Sequence, residues 1–589
     1  MLKLLKYTKK KDWLFALLAV GFIVVQVWLE LKMPDYMNTI TQIAQGKSSM
    51  GQTTYQLSDI WSNGLKMLLC ALGSMASSVV TSFFVVGIAA DFSARVREAL
   101  YVKVQGFSKN EINKFSTASL ITRSTNDVQQ VQILITMGLQ LMIKAPITAV
   151  WAIIKIAGKQ WQWSMAVAIA VSFMVIAIAV IMSLVVKKFK KIQKLTDDIN
   201  RVTRENLTGI RVIRAYNAET YQEEKFEEIN EDMTKTQLFT GRVMALIGPI
   251  MSMVMNGIAL AIYWIGAYLI NSADIFEFQN LFGDMVVYMA YGMQIIASFM
   301  MLAMMFMIAP RSMVSAKRIT EVLSTEYTIK DGNGVGKTAE EGTVEFKDVS
   351  FRYPDGQSNV LQNISFKINK GETVAFIGST GCGKTSLVNL ITRFYDATSG
   401  EVLVDGENVR NYKKEELARK IGYVSQKAVL FSGDIASNIN FGDNNADESA
   451  VNDAICISQS EEFVKTLDEG IGAHVAQSGQ NFSGGQKQRL SIARAIARKS
   501  EIFIFDDTFS ALDYKTDRIL RDALKTKMKN STCIIVAQRI GTIIDANQIF
   551  VIDNGEIVGR GTHKELLNNC ETYKEIAQSQ LSEEELKNA

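Results

Sequence analysis

Long apolar runs dominate the first half of the chain and disappear after about Pro310. Six of these runs reach about 20 residues, the length that an α-helix needs to cross the hydrocarbon core of a bilayer. They lie at roughly 13–31, 64–90, 133–157, 162–186, 243–270 and 281–308. The pattern therefore predicts six membrane-spanning helices, and with them a lipid bilayer as the first partner of the chain.

The connections between these segments differ in length and charge. Those at about 91–132 and 187–242 are long, basic and helical in pattern, whereas the connections on the opposite side are short or acidic. Basic connections remain on the cytosolic side of a membrane. We therefore expect a cell-membrane protein with both termini and both long connections in the cytosol, and membrane helices that continue below the bilayer as stalks.

Ionisable residues interrupt the apolar runs at Glu30, Lys66, Lys144 and Asp284. A charge inside the bilayer is costly and usually faces a cavity, whereas a long charged side chain near the end of a span can reach the interface. We expect Glu30 and Lys66 to lie near an interface. Lys144 is the better candidate for a group that faces a cavity.

The pattern changes in the second half, where short β-branched runs alternate with turn residues from Gly342 onward. One of these runs, VAFIG, leads into GSTGCGKT and then into the helical pattern SLVNLITRF. A strand, a glycine-rich loop and a helix in this order predict a phosphate-binding loop. Its residues are Gly378, Ser379, Thr380, Gly381, Cys382, Gly383, Lys384 and Thr385. The loop predicts ATP as ligand, with Lys384 reaching the β- and γ-phosphates and Thr385 binding Mg²⁺.

A second apolar run, IFIFDD, follows about 120 residues later and ends on two carboxylates. An aspartate at the end of a buried strand can hold the Mg²⁺ ion of a nucleotide, and Asp506 fits that role. Between the two motifs stands FSGGQKQR, where Ser483, Gly484, Gly485 and Gln486 open a helix. A helix amino terminus accepts anions, so a second phosphate-seeking terminus suggests that ATP is sandwiched between two such domains.

Composition adds limits to this interpretation. The net charge of +3 over 589 residues gives no reason to expect a nucleic-acid partner. The five cysteines lack paired spacing, which argues against a disulfide framework or a zinc site. The predicted fold is a six-helix transmembrane domain followed by an α/β phosphate-loop domain with a helical subdomain. The expected boundaries are 1–310 for the membrane domain, 311–341 for a linker, 342–580 for the nucleotide-binding domain and 581–589 for a tail.

Together these motifs resemble the ATP-binding cassette (ABC) transporter superfamily, and the resemblance to a half-size type IV exporter covers nearly the whole chain. It implies that Tyr353 stacks on adenine. It also implies that Gln426 acts in hydrolysis together with the residues at 507 and 538, senses Mg²⁺ as a third metal-binding residue beside Thr385 and Asp506, and contacts the membrane domain. It also identifies Ser483–Gln486 as the signature segment. Two further segments look like coupling helices, namely Leu120–Val128 and Thr208–Glu219.

Two residues depart from the pattern of that family. Asp507 stands where a glutamate is usual, and its carboxylate is one methylene shorter. Gln538 stands where a histidine is usual, and an amide cannot carry the charge of an imidazolium. Because misplacing a catalytic group by about 1 Å can cost on the order of 100-fold in rate, we expect slow hydrolysis at this chain's own site. The pattern is similar to the degenerate-site subunit of heterodimeric bacterial multidrug exporters.

The sequence therefore predicts one half of a heterodimeric exporter that moves hydrophobic or amphipathic small molecules with a second ABC half-transporter. Three alternatives remain open. One is a homodimer with two slow sites, and another is an ATP-gated channel, which also tolerates a degenerate site. The third is a lipid or peptide translocator, which nothing in the sequence separates from a drug exporter.

Overall fold

The computed structural model describes residues 2–44, 57–157, 160–271, 275–441 and 448–581. The chain forms two compact units. The membrane unit comprises Met1–Gln105 and Ala118–Thr325. The second unit, which we call the ATPase unit after the nucleotide-binding domain that the sequence predicts there, comprises Glu326–Ala589 together with Gly106–Thr117. The latter is a short segment that is joined at both ends to the membrane unit.

From the amino terminus to Ser324 the chain is helical over most of its described length. The helices are α1 (Lys10–Ala44), α2 (Leu57–Gln105), α3 (Lys109–Phe115), α4 (Thr117–Ser124), α5 (Asn126–Ile156), α6 (Trp161–Thr208), α7 (Ile210–Ala215), α8 (Glu219–Ala245), α9 (Ile247–Asn271) and α10 (Ile275–Ser324). Six helical stretches of the described residues are long and apolar enough to cross a membrane. Helices α2, α6 and α10 have 49, 48 and 50 residues. At about 1.5 Å per residue each is roughly 70 Å long, about twice the thickness of the hydrocarbon core.

Buried aromatic side chains hold the membrane unit together. Trp163, Tyr288 and Tyr291 are almost fully buried. The indole of Trp163 donates to the carbonyl of Ile262 at 3.1 Å. The hydroxyls of Tyr288 and Tyr291 likewise donate to backbone carbonyls in α5 and α1. Because each polar atom has a partner, these large side chains contribute apolar contact without an unsatisfied buried group.

Two of the charges within the spans, those of Glu30 and Lys144, form a pair inside this unit. Lys144 on α5 donates to Glu30 on α1 at 2.9 Å, and the same carboxylate oxygen accepts from Gln26 and Ser74. Glu30 thus belongs to a polar network that joins α1, α2 and α5, and its position near an interface stays a prediction. Lys144, expected to face a cavity, is committed to an ion pair that offsets the cost of both charges.

The end of the membrane unit lies later than the expected boundary at residue 310. Helix α10 continues through Pro310 to Ser324, and the division between the units falls after Thr325. The reason lies in contacts with α5: Ser315 donates to Asp127 at 2.8 Å and Ser312 donates to a carbonyl of α5. Residues 311–324 are therefore helix rather than linker. Of the expected tail 581–589, all but the first residue lies outside the described residues.

The ATPase unit alternates strands and helices. Its strands are β1 (Val344–Phe351), β2 (Leu361–Ile368), β3 (Thr373–Gly378), β4 (Ser399–Val404), β5 (Glu407–Asn408), β6 (Ile421–Val424), β7 (Gly433–Asp434), β8 (His474–Val475), β9 (Ile502–Asp506), β10 (Thr532–Val536), β11 (Gln548–Asp553) and β12 (Glu556–Gly561). Its further helices are α11 (Lys384–Ile391), α12 (Lys414–Lys420), α13 (Ile435–Ile439), α14 (Glu448–Ile457), α15 (Glu461–Lys465), α16 (Gly484–Ala497), α17 (Tyr514–Lys527), α18 (Ile540–Ile543), α19 (His563–Asn569) and α20 (Glu571–Gln580).

Two sheets organise this unit. A six-stranded sheet has the order β12-β11-β3-β10-β9-β6, in which every neighbouring pair except β11–β12 is parallel. An antiparallel sheet has the order β2-β1-β4-β5. Strands β3, β9 and β10 are buried over almost all of their length, as expected for parallel strands covered on both faces.

The segment that packs with the ATPase unit differs from the predicted first coupling helix. Leu120–Val128 lies in the membrane unit, where Asp127 bonds to α10. Helix α3 instead belongs to the ATPase unit, because the buried carboxylate of Glu111 accepts from the backbone and hydroxyl of Thr328. The second predicted segment, Thr208–Glu219, contains α7, which has no buried residue.

Candidate functional site

The predicted site residues follow the ends of four neighbouring strands, at one edge of the six-stranded sheet. In register, Val536 at the end of β10 lies opposite Phe376 of β3 and Asp506 of β9. The carboxyl ends of parallel strands meet at one edge, where ligands bind in open α/β sheets. The phosphate-binding loop follows β3, Gln538 follows β10, Asp507 follows β9 and Gln426 follows β6. The sheet therefore brings together four motifs that lie far apart in the sequence.

The glycine-rich loop is held in a conformation that its glycines permit. Gly381 and Gly383 have φ of +91° and +102°, a region that favours glycine. A Cβ at Gly383 would lie 2.8 Å from Leu361. Lys384 is almost fully buried, and its ammonium donates to the carbonyls of Gly378 and Ser379 at 2.9 and 2.8 Å. The loop thus curls around its own lysine, with open space beside Gly381.

Asp506 is buried and bound by two hydroxyl groups. Its carboxylate accepts from Thr385 at 3.1 Å and from Tyr423 at 3.3 Å. Burial raises the pKa of Asp506, and these two hydrogen bonds act in the opposite direction. Hydroxyl and carboxylate oxygens are hard ligands of the type that Mg²⁺ prefers. Thr385 and Asp506 therefore meet in the pair that the sequence predicts for the metal.

Asp507 has a different environment, although it is the next residue. Its backbone is left-handed, with φ +48° and ψ +31°. One oxygen of its carboxylate accepts from the amide of Gln538 at 2.9 Å and from that of Gln426 at 3.1 Å. The three residues predicted to act in hydrolysis are thus brought together, and Gln426 contacts Asp507 rather than the Thr385–Asp506 pair.

The signature segment opens a 14-residue helix, α16. Ser483 is its amino-terminal cap, and its side chain accepts from the backbone of Gln486 at 3.3 Å while the Gln486 side chain accepts from the backbone of Ser483 at 2.8 Å. Gly484 and Gly485 form the first turn, and a Cβ at Gly484 would have open space around it. Ser483 and Gly484 are exposed, whereas Gly485 and Gln486 are half-buried.

Tyr353 is half-buried beside the phosphate-loop helix. Its hydroxyl lies 2.8 Å from that of Ser386, and its ring packs edge-on against Tyr395 with centroids 5.2 Å apart. The orientation of the ring is thus fixed by two contacts. Stacking on a base remains a prediction for this residue.

Sequence reasoning missed a group of residues that support the site. Lys109 of α3 donates to Asn389 of α11 at 2.9 Å, and its ammonium lies 4.5 Å from the ring centre of Phe394. That ring packs edge-on against Tyr423, the partner of Asp506. Burial lowers the pKa of Lys109, while the charge of Asp506 acts in the opposite direction. No motif marks these residues, because the contacts join segments that are distant from each other in the sequence.

The residues fit a nucleotide with its metal. The loop offers open space beside Gly381, a buried lysine and the amino terminus of α11, which together suit phosphate oxygens. The hydroxyl–carboxylate pair beside it suits Mg²⁺, the metal general to such sites.

Comparison with known proteins decides the family. A family model described as ABC transporter matches residues 361–510, and one described as ABC transporter transmembrane region matches residues 16–299. An uncharacterized ABC transporter ATP-binding protein of Mycobacterium tuberculosis is 37% identical over 92% of this chain and 90% of its own length. The chain belongs to the ABC transporter family. It therefore combines a multi-pass transmembrane region with an ATP-binding ABC ATPase that is coupled to transport.

Two further similarities place it within that family. An ATP-dependent lipid A-core flippase of Pseudomonas fluorescens is 30% identical over 85% of this chain and 83% of its own length. A solved structure described as a bacterial Atm1-family ABC exporter with ATP bound shares the fold. The two structures superpose with a TM-score of 0.77 at 21% sequence identity, over 97% of this chain and 98% of the exporter chain. The fold of this ABC transporter is therefore that of an exporter, with six transmembrane helices followed by the ATPase.

Proposed function

We propose that this ABC transporter chain is one half of a heterodimeric exporter of amphipathic or apolar compounds, and that its own ATP site hydrolyses slowly. The observation that carries the proposal is the environment of Asp507. One oxygen of its carboxylate is bound by two amide groups, those of Gln538 and Gln426. An amide can donate and accept hydrogen bonds but does not take up a proton near neutral pH.

This arrangement weakens general-base chemistry in two ways. The carboxylate of Asp507 is one methylene shorter than that of glutamate and is held by neighbours on its own sheet edge, which withdraws it from an attacking water. Gln538 offers hydrogen bonds but no positive charge to a γ-phosphate. The binding half of the site does not share these changes, because Lys384, Thr385 and Asp506 match the family pattern. The chain should therefore bind ATP and Mg²⁺ and turn ATP over slowly.

The signature segment, which is exposed at Ser483 and Gly484, gives the chain a second role. Ser483 and Gly485 lie at the amino terminus of α16, a terminus suited to an anion. In a dimer they would complete the ATP site that is built on the partner's phosphate loop. Most hydrolysis would then occur at that second site, and Ser483, Gly484, Gly485 and Gln486 would support it.

The proposed orientation follows the charge of the connections. Both termini, the long basic connections and the ATPase unit lie in the cytosol of a bacterial cell, in accordance with the positive-inside rule. Helix α3 would pass movements of the ATPase unit along the chain to the membrane helices, since α3 packs within the ATPase unit and is continuous in sequence with α2 and α4. Helix α7, which has no buried residue, is available for a partner subunit.

A second candidate is translocation of a lipid-like amphiphile, with two copies of this chain in place of a heterodimer. The observation in its favour is the 30% identity to a lipid A-core flippase over most of both chains. The two candidates differ in whether the purified chain transports alone. Reconstitution of this chain without a partner, followed by dye efflux and lipid translocation assays, distinguishes them.

The test of the slow site is a gain of function. Asp507→Glu combined with Gln538→His should raise hydrolysis at this site by on the order of 10- to 100-fold, because both catalytic positions regain the chemistry of the family. The measurement is the ATPase rate in a complex whose partner site has been disabled by replacing its catalytic glutamate.

The matched control is Asp507→Glu alone. It lengthens the carboxylate but leaves the amide of Gln538 beside it, so we expect a smaller gain than in the double variant. The proposal fails if neither variant hydrolyses ATP faster than the unmodified chain while ATP occupancy is unchanged. In that case Asp507 and Gln538 are not the cause of slow turnover.

A further inference from the structure

A cavity of about 480 Å³ lies in the membrane unit beside the amino-terminal segment. Leu4 and Leu5 of a short 3₁₀ helix form one wall, and side chains of α1, α2, α5 and α10 form the others. The lining is apolar except for Thr8 and Asp12. The volume is within the range of small-molecule sites. The walls offer almost no hydrogen-bonding group, so the part of a ligand inside the cavity must be apolar.

The polar groups of the lining are already committed. Asp12 is buried and forms an ion pair with Arg95, and it accepts from the backbone of Lys9 at 2.8 Å. Arg95 also donates to the carbonyl of Tyr7 at 2.8 Å. Thr8 accepts from the indole of Trp13 at 3.2 Å. The ion pair therefore fastens the amino-terminal segment over the cavity and leaves the interior apolar.

Positive charge surrounds this apolar space. The segment that covers the cavity carries five exposed lysines, Lys3, Lys6, Lys9, Lys10 and Lys11. None of them forms an ion pair within the described part of the chain. They alternate with the lining residues Leu4, Leu5 and Thr8. Lysines that stand just before an apolar span attract anionic lipid headgroups.

We propose that this cavity binds an acyl chain of an anionic phospholipid from the surrounding bilayer, with the headgroup held by the amino-terminal lysines. Charge complementarity selects this occupant. A soluble anion would use the lysines and leave the apolar cavity empty, whereas a neutral lipid would use the cavity and not the lysines. Trp13 lines the cavity and is otherwise exposed, which is typical of a ring at the level of the headgroups.

The position of the cavity gives such a lipid a means of regulation. Its lining joins the amino-terminal segment to Leu139 of α5 and Met313 of α10, two helices that pack together along much of their length. An acyl chain between them would stabilise the arrangement that contains the cavity. Binding should therefore change the ATPase rate, since a ligand shifts a conformational equilibrium toward the state that it prefers. This inference does not depend on the proposed heterodimer or on the transported compound.

The experiment uses Trp13 as the reporter. The purified transporter is placed in phosphatidylcholine nanodiscs that contain either dibrominated phosphatidylglycerol or dibrominated phosphatidylcholine at equal mole fraction. The contribution of Trp13 is the difference in fluorescence between the unmodified protein and Trp13→Phe. We expect half-maximal quenching at an about 5-fold or more lower mole fraction of the anionic lipid, because several lysines act together.

Three variants locate the lipid. Replacing Lys3, Lys6 and Lys9 together by Gln should remove the preference for the anionic lipid, whereas replacing them by Arg should keep it. Ala16→Phe should fill the cavity and abolish the saturable part of the quenching by the anionic lipid. The same variants, with unmodified protein as reference, are assayed for ATPase stimulation by phosphatidylglycerol, which should disappear wherever the preference does.

Three outcomes would overturn the proposal. Equal quenching by both brominated lipids would show that the headgroup is not selected. Saturable quenching that persists in Ala16→Phe would show that the acyl chain lies on the outer surface of Trp13. Absence of quenching by either lipid would mean that another occupant, such as the transported compound, fills the cavity. Because the arginine variant retains the charge, it separates loss of binding from loss of folding or insertion.

Discussion

Asp506 and Asp507 are adjacent in sequence, yet they belong to regions of the ATPase site that are built differently. Asp506 ends a buried strand and accepts from two hydroxyls, those of Thr385 and Tyr423. Asp507 turns into a left-handed conformation and accepts from two amides, those of Gln538 and Gln426. The oxygen of a hydroxyl group can bind a cation together with a carboxylate. An amide N–H group, in contrast, only donates a hydrogen bond to the carboxylate. The first region suits binding of ATP with its metal, and the second suits holding a carboxylate in place.

Residues that bind nucleotide and residues that hold a second carboxylate can therefore vary independently at one sheet edge. The two regions use different strands, because the phosphate loop follows β3 whereas Gln538 and Gln426 follow β10 and β6. A change after β10 or β6 therefore leaves the loop and Thr385 undisturbed.

The largest effect should come from the signature segment. Gly485→Asp places a negative charge in the first turn of α16, where a partner's phosphate would approach. We expect ATP turnover of the assembled complex to fall by on the order of 100-fold or more, as measured by steady-state ATPase assay and dye efflux.

Gly485→Ala is the matched control for this substitution. A Cβ at this position would lie 3.4 Å from the carbonyl of Ala511, which is close to ordinary contact. The alanine variant should therefore retain most activity. If Gly485→Asp also retained it, the signature of this chain would not serve a competent site and the sandwich arrangement would be wrong.

The second prediction concerns the binding region. Lys384→Ala removes a buried ammonium from the centre of the phosphate loop, which leaves the β- and γ-phosphates without their positive partner. We expect ATP affinity at this site to fall by about 10- to 100-fold, equivalent to a charged hydrogen bond of roughly 1.5–3 kcal/mol. Nucleotide occupancy of this chain at low ATP, measured by photolabelling, checks the prediction. Equal occupancy in the two proteins would contradict the assignment of the loop.

Much of this contrast was predictable from local sequence. The phosphate loop and the apolar run that ends on Asp506 are continuous motifs, and the six spans are long apolar runs, so their residue types specify them directly. The pair Asp507 and Gln538 was recognisable as a departure. The contact of Asp507 with both Gln538 and Gln426 depends on the order of β10, β9 and β6 in the sheet, which no local pattern encodes.

The misplaced elements share a similar cause. Helix α3 was missed because its role depends on the carboxylate of Glu111, which accepts a hydrogen bond from Thr328, a residue of the same unit that lies 217 positions later in the sequence. The boundary was expected at residue 310 because of the proline there. Helix α10 nevertheless continues to Ser324, where its contacts with α5 stabilise it. In both places tertiary contacts outweighed composition.

The third prediction tests the support behind the binding region. Lys109→Met removes the donor to Asn389, a residue that is only 3% exposed, and leaves its amide oxygen without that hydrogen bond. Such a loss costs about 1–3 kcal/mol, so we expect a fall of a few degrees in Tm. Transport-stimulated ATPase should fall more than basal ATPase, because α3 connects the two units in sequence.

Lys114→Met is the matched control, since it removes an exposed lysine from the same helix. It should leave Tm and coupling unchanged, and Lys109→Arg should restore part of the loss. Equal effects of Lys109→Met and Lys114→Met would show that the position of the ammonium beside Asn389 and Phe394 has no importance.

The smallest effect is expected at Asp507. Asp507→Asn keeps the shape of the side chain and removes its charge, so the hydrogen bonds from Gln538 and Gln426 weaken. If this chain's site contributes little turnover, the ATPase rate of the assembled complex should change by less than about 2-fold, because the rate is set where the partner's loop meets Ser483 and Gly485. The same substitution at the catalytic glutamate of the partner should abolish most turnover. If Asp507→Asn proves as damaging as Gly485→Asp, then Asp507 acts as a working base, and the two regions of this site differ in hydrogen bonding without differing in function.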